Sequence, residues 1–376
     1  MIYLDNASTT KPCAAAIDAF VKTAESFGNP SSLHRLGLEA EKIIKSAKKT
    51  LSDIIGCKPD RIFFTSGGTE SNNLAILGSA AKSRRRHIII SAVEHPSVLE
   101  PAASLEANGW KVDRVGVDGD GRVKLDELEE LISAETALVS IMHVNNETGT
   151  VQPVEEIRQL INKKADGALF HIDAVQGFCK VPLSIKRADP DFMSISSHKI
   201  NGFKGTGALY IKDIKTISPI FFGGGQQSSL RSGTENVGGI AAFAAAAAEH
   251  KDFNNTRVVE LRRSLMKSVI DKIPAVKYNG AADGFSPYIL NLSFKGIKSE
   301  ILLHSLESEG IYVSTGSACS SHKPMPSHVL AAMGCTADEI SGAVRFSFDS
   351  GIDETDITKT VDVLSEKVGE IRKYMR

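Results

Sequence analysis

The sequence predicts an α/β fold with a mostly parallel sheet between helices, followed by a smaller α+β domain. Three observations predict it. Short apolar or β-branched runs alternate with helical patterns as far as about residue 255. Most of these runs are apolar throughout, which is typical of parallel strands buried on both faces. Beyond that point the alternation gives way to a long helical stretch and mixed short elements.

The first elements are two helices, Ala14–Phe27 and Leu36–Ile55, each followed directly by a glycine of the kind that ends helices. A strand at 61–65 then leads through the glycine-rich turn Ser66–Glu70 into a helix that extends to about Ala81. Further strands are predicted at His87–Ser91, Ala137–Val144, Ala168–Ile172, Asp191–Ile195 and Gly207–Ile211, with helices from about Pro96 to Gly109 and over Val154–Lys164.

The second part of the chain has a different pattern. A helical stretch over Ala241–Ile273 leads to a strand at Tyr288–Phe294, and helices follow at Ser299–Glu309 and Asp356–Tyr374. The length of 376 residues suits two domains or one large body with a smaller partner.

Composition and charge exclude several classes of protein. The chain has 44 Lys and Arg against 45 Asp and Glu, so its net charge of −1 excludes a globally basic nucleic-acid binder. The N-terminus has neither a basic nor an apolar leader pattern, and no apolar run is long enough to span a bilayer. We therefore expect a cytoplasmic protein with no membrane partner.

The cysteines point to a reducing compartment. There are five, scattered and without a CxxC pair, so neither a disulfide framework nor a metal site is indicated. They are Cys13, Cys57, Cys179, Cys319 and Cys335.

Three motifs could carry chemistry. The turn Ser66–Glu70 exposes backbone N–H groups at a helix start and suits a phosphate, although a plain strand–helix turn fits equally well. Asp173 ends an apolar strand, where α/β sheets bind ligands, but it could simply cap a helix. Lys199 follows another buried strand and suits Schiff-base chemistry, or it could reach water at the sheet edge.

The order of these motifs is that of pyridoxal-phosphate enzymes, which need a phosphate site, a carboxylate for the pyridine nitrogen and a lysine. Beyond them, the sequence resembles the cysteine desulfurases of the NifS/IscS type, in the class V aminotransferase family. The resemblance runs nearly end to end and rests on nine blocks: 3–7, 28–34, 64–73, 94–96, 143–149, 173–176, 196–199, 231–236 and 317–319.

The resemblance implies the pyridoxal-phosphate-dependent transferase fold of type I. We expect residues 13–255 to form the large cofactor domain, and residues 1–12 with 256–376 to form the small domain that carries the Cys319 loop. The resemblance also implies a homodimer.

The resemblance assigns roles to the site residues. Lys199 would bind pyridoxal phosphate, Asp173 would pair with its pyridine nitrogen, and Gln176 would bond its phenolic oxygen. His95 would lie over the ring and act as an acid or base toward the substrate thiol. The phosphate would be held by Gly68, Thr69, Ser196 and His198, with Thr234 from the neighbouring subunit. Asn146, near the cofactor, and Arg345 would hold the substrate carboxylate; a structural ion pair is the alternative for Arg345.

Cys319 decides the reaction. It lies in a stretch of small and polar residues, 314–324, typical of an exposed, mobile loop, and His322 and Lys323 would favour its thiolate. The resemblance implies that Cys319 takes the sulfur of L-cysteine, leaving L-alanine and a persulfide. A sulfur-acceptor protein would then use it for iron–sulfur cluster assembly or for transfer such as tRNA thiolation.

Two departures leave partner choice open. Gln227, Ser228 and Ser229 stand where the family usually has an acidic residue, an arginine and a glycine, and the sequence ends where housekeeping members continue into a docking extension. The alternatives are another class V enzyme (an aminotransferase or a selenocysteine lyase) and a non-catalytic sulfur carrier. The absence of GxGxxG opening a βαβ unit argues against a Rossmann dehydrogenase.

Overall fold

The computed structural model describes residues 1–250, 255–315 and 326–374. The strands are β1 (Ile2–Tyr3), β2 (Ile62–Thr65), β3 (His87–Ser91), β4 (Lys111–Val115), β5 (Thr136–Met142), β6 (Leu169–Asp173), β7 (Phe192–Ser196), β8 (Gly207–Ile211), β9 (Val276–Tyr278), β10 (Ile289–Phe294), β11 (Ile311–Tyr312), β12 (Ser314–Thr315) and β13 (Ala343–Ser347). The helices are α1 (Ala14–Glu25), α2 (Arg35–Ile55), α3 (Gly68–Ala80), α4 (Pro96–Ala107), α5 (Leu125–Leu131), α6 (Val154–Lys164), α7 (Ile185–Ala188), α8 (Val237–Glu249), α9 (Thr256–Lys272), α10 (Ser299–Ser308), α11 (His328–Ala332), α12 (Ala337–Ser341) and α13 (Glu354–Tyr374).

The central sheet has the strand order β2-β8-β7-β6-β5-β3-β4. Neighbours from β7 to β4 are parallel, and β8 runs antiparallel to both β7 and β2. The predicted α/β class and the mostly parallel sheet are therefore confirmed.

The apolar run of β3 shows why this sheet is buried on both faces. Ile88 and Ile90 pack into the core beneath α3 and α4, whereas Ile89 points to the opposite core, which α2, α6 and α8 cover. Because successive side chains of a strand face opposite ways, only a strand with helices on both sides can be apolar throughout.

Local signals set the ends of several helices. The side chain of His34 accepts the N–H of Gly37 at 3.4 Å and caps the start of α2. Gly56 ends the same helix in the left-handed conformation, with φ of 83°, as the sequence predicts.

The predicted single helical stretch over 241–273 is wrong, because the structure has two helices there, α8 and α9. Tertiary contacts hold the end of one helix and the start of the other. The ring of His250 bonds the side-chain oxygen of Asn201 at 3.0 Å. Asn255 precedes α9, donates to the carbonyl of Lys180 and accepts from the hydroxyl of Tyr288, both at 2.7 Å.

A separate core lies beneath a second sheet with the strand order β12-β13-β10-β9. It is built from residues near the N-terminus, including Ile2 and Leu4, together with residues of the segment from Val258 to Ile371. Strand β1 pairs with β11, which joins the N-terminus to this unit.

Within residues 1–250, 255–315 and 326–374, no helix has the length and apolar character needed to cross a membrane. The same residues hold no group of three or more His, Cys, Asp or Glu side chains placed to bind a metal ion.

Candidate active site

A cavity of about 360 Å³ opens at the carboxyl ends of β6 and β7. It brings together ten of the residues predicted from the sequence: Gly68, Thr69, His95, Asn146, Asp173, Gln176, Ser196, His198, Lys199 and Arg345. Thr234 is exposed and is not part of this lining. Cys319 lies outside the described residues.

Asp173 is held rigidly at the end of β6. One carboxylate oxygen accepts the N–H of Val175 at 2.9 Å, which caps the turn that follows the strand. The other accepts from the amide nitrogen of Asn72 at 2.7 Å. The residue thus both caps a turn and faces the cavity, so the two alternatives raised by the sequence are not exclusive.

Lys199 follows β7 in a short helical turn and reaches the N-terminal segment. Its Nζ donates to the carbonyl oxygens of Ala7 at 2.6 Å and Ser8 at 2.9 Å. Both of those residues also line the cavity.

The turn before α3 has the form of an anion cradle. Gly67 precedes the helix, and no side chain caps it. A Cβ on Gly68 would lie 2.6 Å from a methyl group of Val175, so only glycine fits there. Free N–H groups at the start of a helix attract a phosphate.

His198 and Ser196 also line the cavity. Burial, together with the charges of Lys199, Lys204 and Lys180, lowers the pKa of His198 to about 3, so its ring is neutral at physiological pH. The buried hydroxyl of Ser196 has no hydrogen-bond partner among the described residues.

Arg345 lies on β13 and is 3% exposed. Its guanidinium donates to the carbonyl of Asn146 at 2.8 Å, to the carboxylate of Asp5 at 2.9 Å and to the hydroxyl of Ser8 at 2.7 Å. Its buried Nε has no partner in the described part of the chain. The ion pair with Asp5 holds a cationic fork at the cavity wall, and such a fork suits a carboxylate ligand.

These groups fit pyridoxal phosphate. The structure offers a carboxylate, a lysine and an uncapped helix start within one cavity. The buried side-chain oxygen of Gln176 has no partner among the described residues and could meet a polar group of the ring.

Several residues at the site were missed by the prediction of site residues. Asn72 and Ser97 line the cavity and join His95 to Asp173. Both lie in or beside motif blocks of the resemblance, but only the fold shows that they touch.

A second missed group anchors α11 beside the site. Ser327 donates to the carboxylate of Glu147 at 2.5 Å, and the ring of His328 bonds the carbonyl of Glu94 at 3.0 Å. Burial raises the pKa of Glu147 to about 7, against the opposing effects of the Ser327 hydrogen bond and of Arg345. Ser314 pairs with Arg345 between β12 and β13. Both described flanks of the segment that contains Cys319 therefore lie next to site residues.

Comparison with known proteins gives a consistent result. The family described as Aminotransferase class-V matches residues 2–359. A cysteine desulfurase of Trichormus azollae is 40% identical, with 99% of this chain and 94% of that protein covered. The cysteine desulfurase IscS of Dictyoglomus turgidum is 41% identical, with 99% and 95% covered.

Solved structures agree with these relatives. A NifS-like protein has a TM-score of 0.92 at 36% identity, with 98% of this chain and 99% of that one covered. A NifS-like protein from Rickettsia africae ESF-5 has a TM-score of 0.88 at 31% identity, with the same shares covered. The chain therefore belongs to the class V aminotransferase family. Within that family its similarity is to the NifS/IscS group.

Proposed function

We propose that the protein is a pyridoxal-phosphate-dependent cysteine desulfurase that converts L-cysteine to L-alanine and a persulfide on Cys319. The observation that carries the proposal is the single cavity that gathers Lys199, Asp173, His95 and Arg345. The relatives named cysteine desulfurase, which span nearly the whole chain, support the same activity.

Different residues of the cavity hold the cofactor and the substrate in this proposal. Gly68, Thr69, Ser196 and His198 hold the phosphate, and the carboxylate of Asp173 keeps a proton on the pyridine nitrogen. Arg345, with Asn146, holds the carboxylate of L-cysteine. Bound pyridoxal phosphate supplies an electron sink for bonds broken at the substrate.

Lys199 would hold the cofactor, and its Nζ would remove the proton from the substrate's Cα. The Cys319 thiolate then attacks the substrate sulfur. A sulfur–sulfur bond forms, the carbon–sulfur bond breaks, and the electron pair stays with the carbon, which takes up a proton to give alanine.

The flanks of the segment that contains Cys319 support this role. Ser314, on one side, pairs with the strand position of Arg345, and Ser327, on the other, bonds Glu147 beside Asn146. The two described ends of the segment that contains Cys319 therefore lie beside residues of the proposed substrate site.

The test is substitution of the nucleophile. Cys319→Ser should retain the yellow colour of bound cofactor and lose alanine release from L-cysteine, whereas Cys335→Ser, the matched control, should retain both. Undiminished alanine release by Cys319→Ser would contradict the proposed role of Cys319 as the residue that takes the sulfur. Colourless purified protein would instead favour the non-catalytic sulfur carrier.

A homodimer completes the site in this proposal. Pro30, Ser31, Gly225, Ser228 and Glu235 share the lining of a surface cavity of about 690 Å³. Exposed apolar side chains lie within a few residues of this lining in the sequence, and a monomer would leave them in water, namely Phe27 (78% exposed), Leu33 (93%) and Phe222 (86%). Thr234 is exposed and precedes the lining residue Glu235 in the chain, and in the proposed dimer it would reach the phosphate site of the neighbouring subunit.

The persulfide sulfur then passes to an acceptor protein. The names NifS and IscS among the relatives and structural neighbours favour iron–sulfur cluster assembly. A tRNA-thiolation enzyme is the other acceptor that this proposal retains.

A further inference from the structure

The structure fixes the direction of a chain of hydrogen bonds from Asp173 to His95. The side chain of Asn72 lies 2.7 Å from one Asp173 oxygen and 2.8 Å from the hydroxyl oxygen of Ser97. A carboxylate oxygen can only accept, so the atom of Asn72 that faces it is the NH₂ nitrogen, which has two protons to give.

The next bond follows from the first. Because the Ser97 hydroxyl accepts from Asn72, its own proton is available to its other neighbour, Nδ1 of His95, at 2.8 Å. The backbone N–H of Ser97 also donates to this Nδ1, at 3.1 Å, because His95 occupies the N-cap position of α4. A ring nitrogen that receives two donors carries a lone pair rather than a proton.

The ring of His95 is neutral at physiological pH. Burial lowers its pKa, Asp173 opposes this, and the charges of Lys199 and His328 lower it further. A neutral imidazole has one N–H, and with Nδ1 unprotonated the proton lies on Nε2.

We propose that Ser97, through its backbone N–H and its hydroxyl, and Asn72, which orients that hydroxyl, are positioning residues for His95. They keep its proton on Nε2, so that His95 meets the substrate sulfur as a hydrogen-bond donor and not as a base. The inference rests on the proposed desulfurase function. It changes the expected acid or base role of His95.

The consequence is chemical. The substrate thiol keeps its proton while the N–H of His95 orients its sulfur, and a neutral thiol does not repel the incoming Cys319 thiolate as a second anion would. When the new sulfur–sulfur bond forms and the carbon–sulfur bond breaks, that proton stays on the outer sulfur of the persulfide.

The direct test is nitrogen NMR of the holoenzyme, with ¹⁵N-labelled histidine and without substrate. The signals of His95 are those that disappear in His95→Gln. We expect Nε2 protonated and Nδ1 unprotonated at neutral pH, and a proton on Nδ1, or on both nitrogens, would overturn the proposal. This reading does not depend on turnover, so it stands apart from failure of the desulfurase activity itself.

The role of the Ser97 hydroxyl is tested in the same spectra. In Ser97→Ala the backbone donor remains, so Nε2 should stay protonated while the Nδ1 resonance shifts toward that of a ring nitrogen with fewer donors. Ser97→Thr, which keeps the hydroxyl, should restore the original shift. An unchanged Nδ1 resonance in Ser97→Ala would show that the hydroxyl does not donate.

Two replacements of His95 distinguish a role as hydrogen-bond donor from a role as base. The shorter amide of His95→Asn can cap α4 but does not reach the Nε2 position, whereas the longer amide of His95→Gln can place an N–H there. We expect the KM for L-cysteine to rise about tenfold in His95→Asn and much less in His95→Gln. An equal rise in KM in both variants would overturn the donor role, because the two amides differ in whether they can donate at the Nε2 position and neither of them is a base.

Discussion

At the scale of single residues, Arg345 shows how one side chain serves the structure and the site together. Its guanidinium bonds Asp5, Ser8 and the carbonyl of Asn146, which are brought together from distant parts of the chain. Those bonds leave its Nε without a partner among the described residues. A buried cation held in this way is ready for an anionic ligand without further ordering.

Arg345→Lys should therefore raise the KM for L-cysteine by roughly 10- to 100-fold, because an ammonium group cannot reproduce the planar fork. Steady-state kinetics of alanine formation measure this KM. Arg262→Lys is the matched control, since Arg262 is also buried but bonds Ile289 and Tyr278, which do not line the cavity. Equal KM changes in the two variants would contradict a substrate role for Arg345.

Motifs in the sequence were enough to predict where certain single residues stand in the fold. Asp173, Lys199 and the turn before α3 stand at strand ends, and strand ends can be recognised from apolar runs. The contacts of Lys199 with Ala7 and Ser8, and of Asn72 with Ser97, join segments far apart in the chain. Residue periodicity contains no information about such pairs.

At the scale of elements, Glu94 links strands β3 and β5 behind the site. It is fully buried, and its carboxyl accepts from the hydroxyl of Ser91 at 2.5 Å and from the N–H of Met142 at 2.8 Å. Burial raises its pKa to about 8, although these two hydrogen bonds favour the ionised form. The protonated acid thus prevails in the folded protein at neutral pH.

This burial predicts a dependence of stability on pH. Between the ordinary pKa of a glutamate, near 4.5, and about 8, the unfolded chain loses the Glu94 proton while the folded protein keeps it. The free energy of unfolding therefore falls as pH rises through this window, by about 1.4 kcal/mol for each unit of pKa difference, and is level above it.

Glu94→Gln should reduce the fall in the free energy of unfolding as pH rises, because glutamine cannot ionise and can still accept both hydrogen bonds. Urea unfolding of the holoenzyme at pH 5.5, 7 and 8.5 measures it, with the exposed Glu106→Gln as control. Parallel pH profiles for wild type and Glu94→Gln would contradict the raised pKa.

The division of residues 241–273 into α8 and α9 is a feature that the sequence pattern did not predict. The alanine-rich and amphipathic sequences on either side are both good helix formers. The boundary depends on the bonds of His250 to Asn201 and of Asn255 to Lys180 and Tyr288, which are tertiary contacts.

At the scale of the whole molecule, the proposed homodimer has a specific consequence for activity. If Thr234 serves the neighbouring subunit and Lys199 its own, each site draws on two chains. Thr234→Val and Lys199→Ala would damage different halves of a site.

Mixing these two variants should restore activity, because half of the sites in a heterodimer contain neither substitution. Each homodimer alone should be impaired, and the mixture, unfolded and refolded together with pyridoxal phosphate, should recover up to about one quarter of wild-type alanine formation if subunits pair at random. Refolding each variant alone is the control. No gain on mixing would place both residues in the same subunit's site.

The central claim is that Cys319 receives the sulfur of L-cysteine. The most direct measurement is mass spectrometry of the holoenzyme after a brief incubation with L-cysteine, alongside an assay of alanine. We predict one additional sulfur atom on the peptide that contains Cys319, in step with the first equivalent of alanine. Alanine formed without sulfur on that peptide, or with the sulfur on Cys13, Cys57, Cys179 or Cys335, would contradict it.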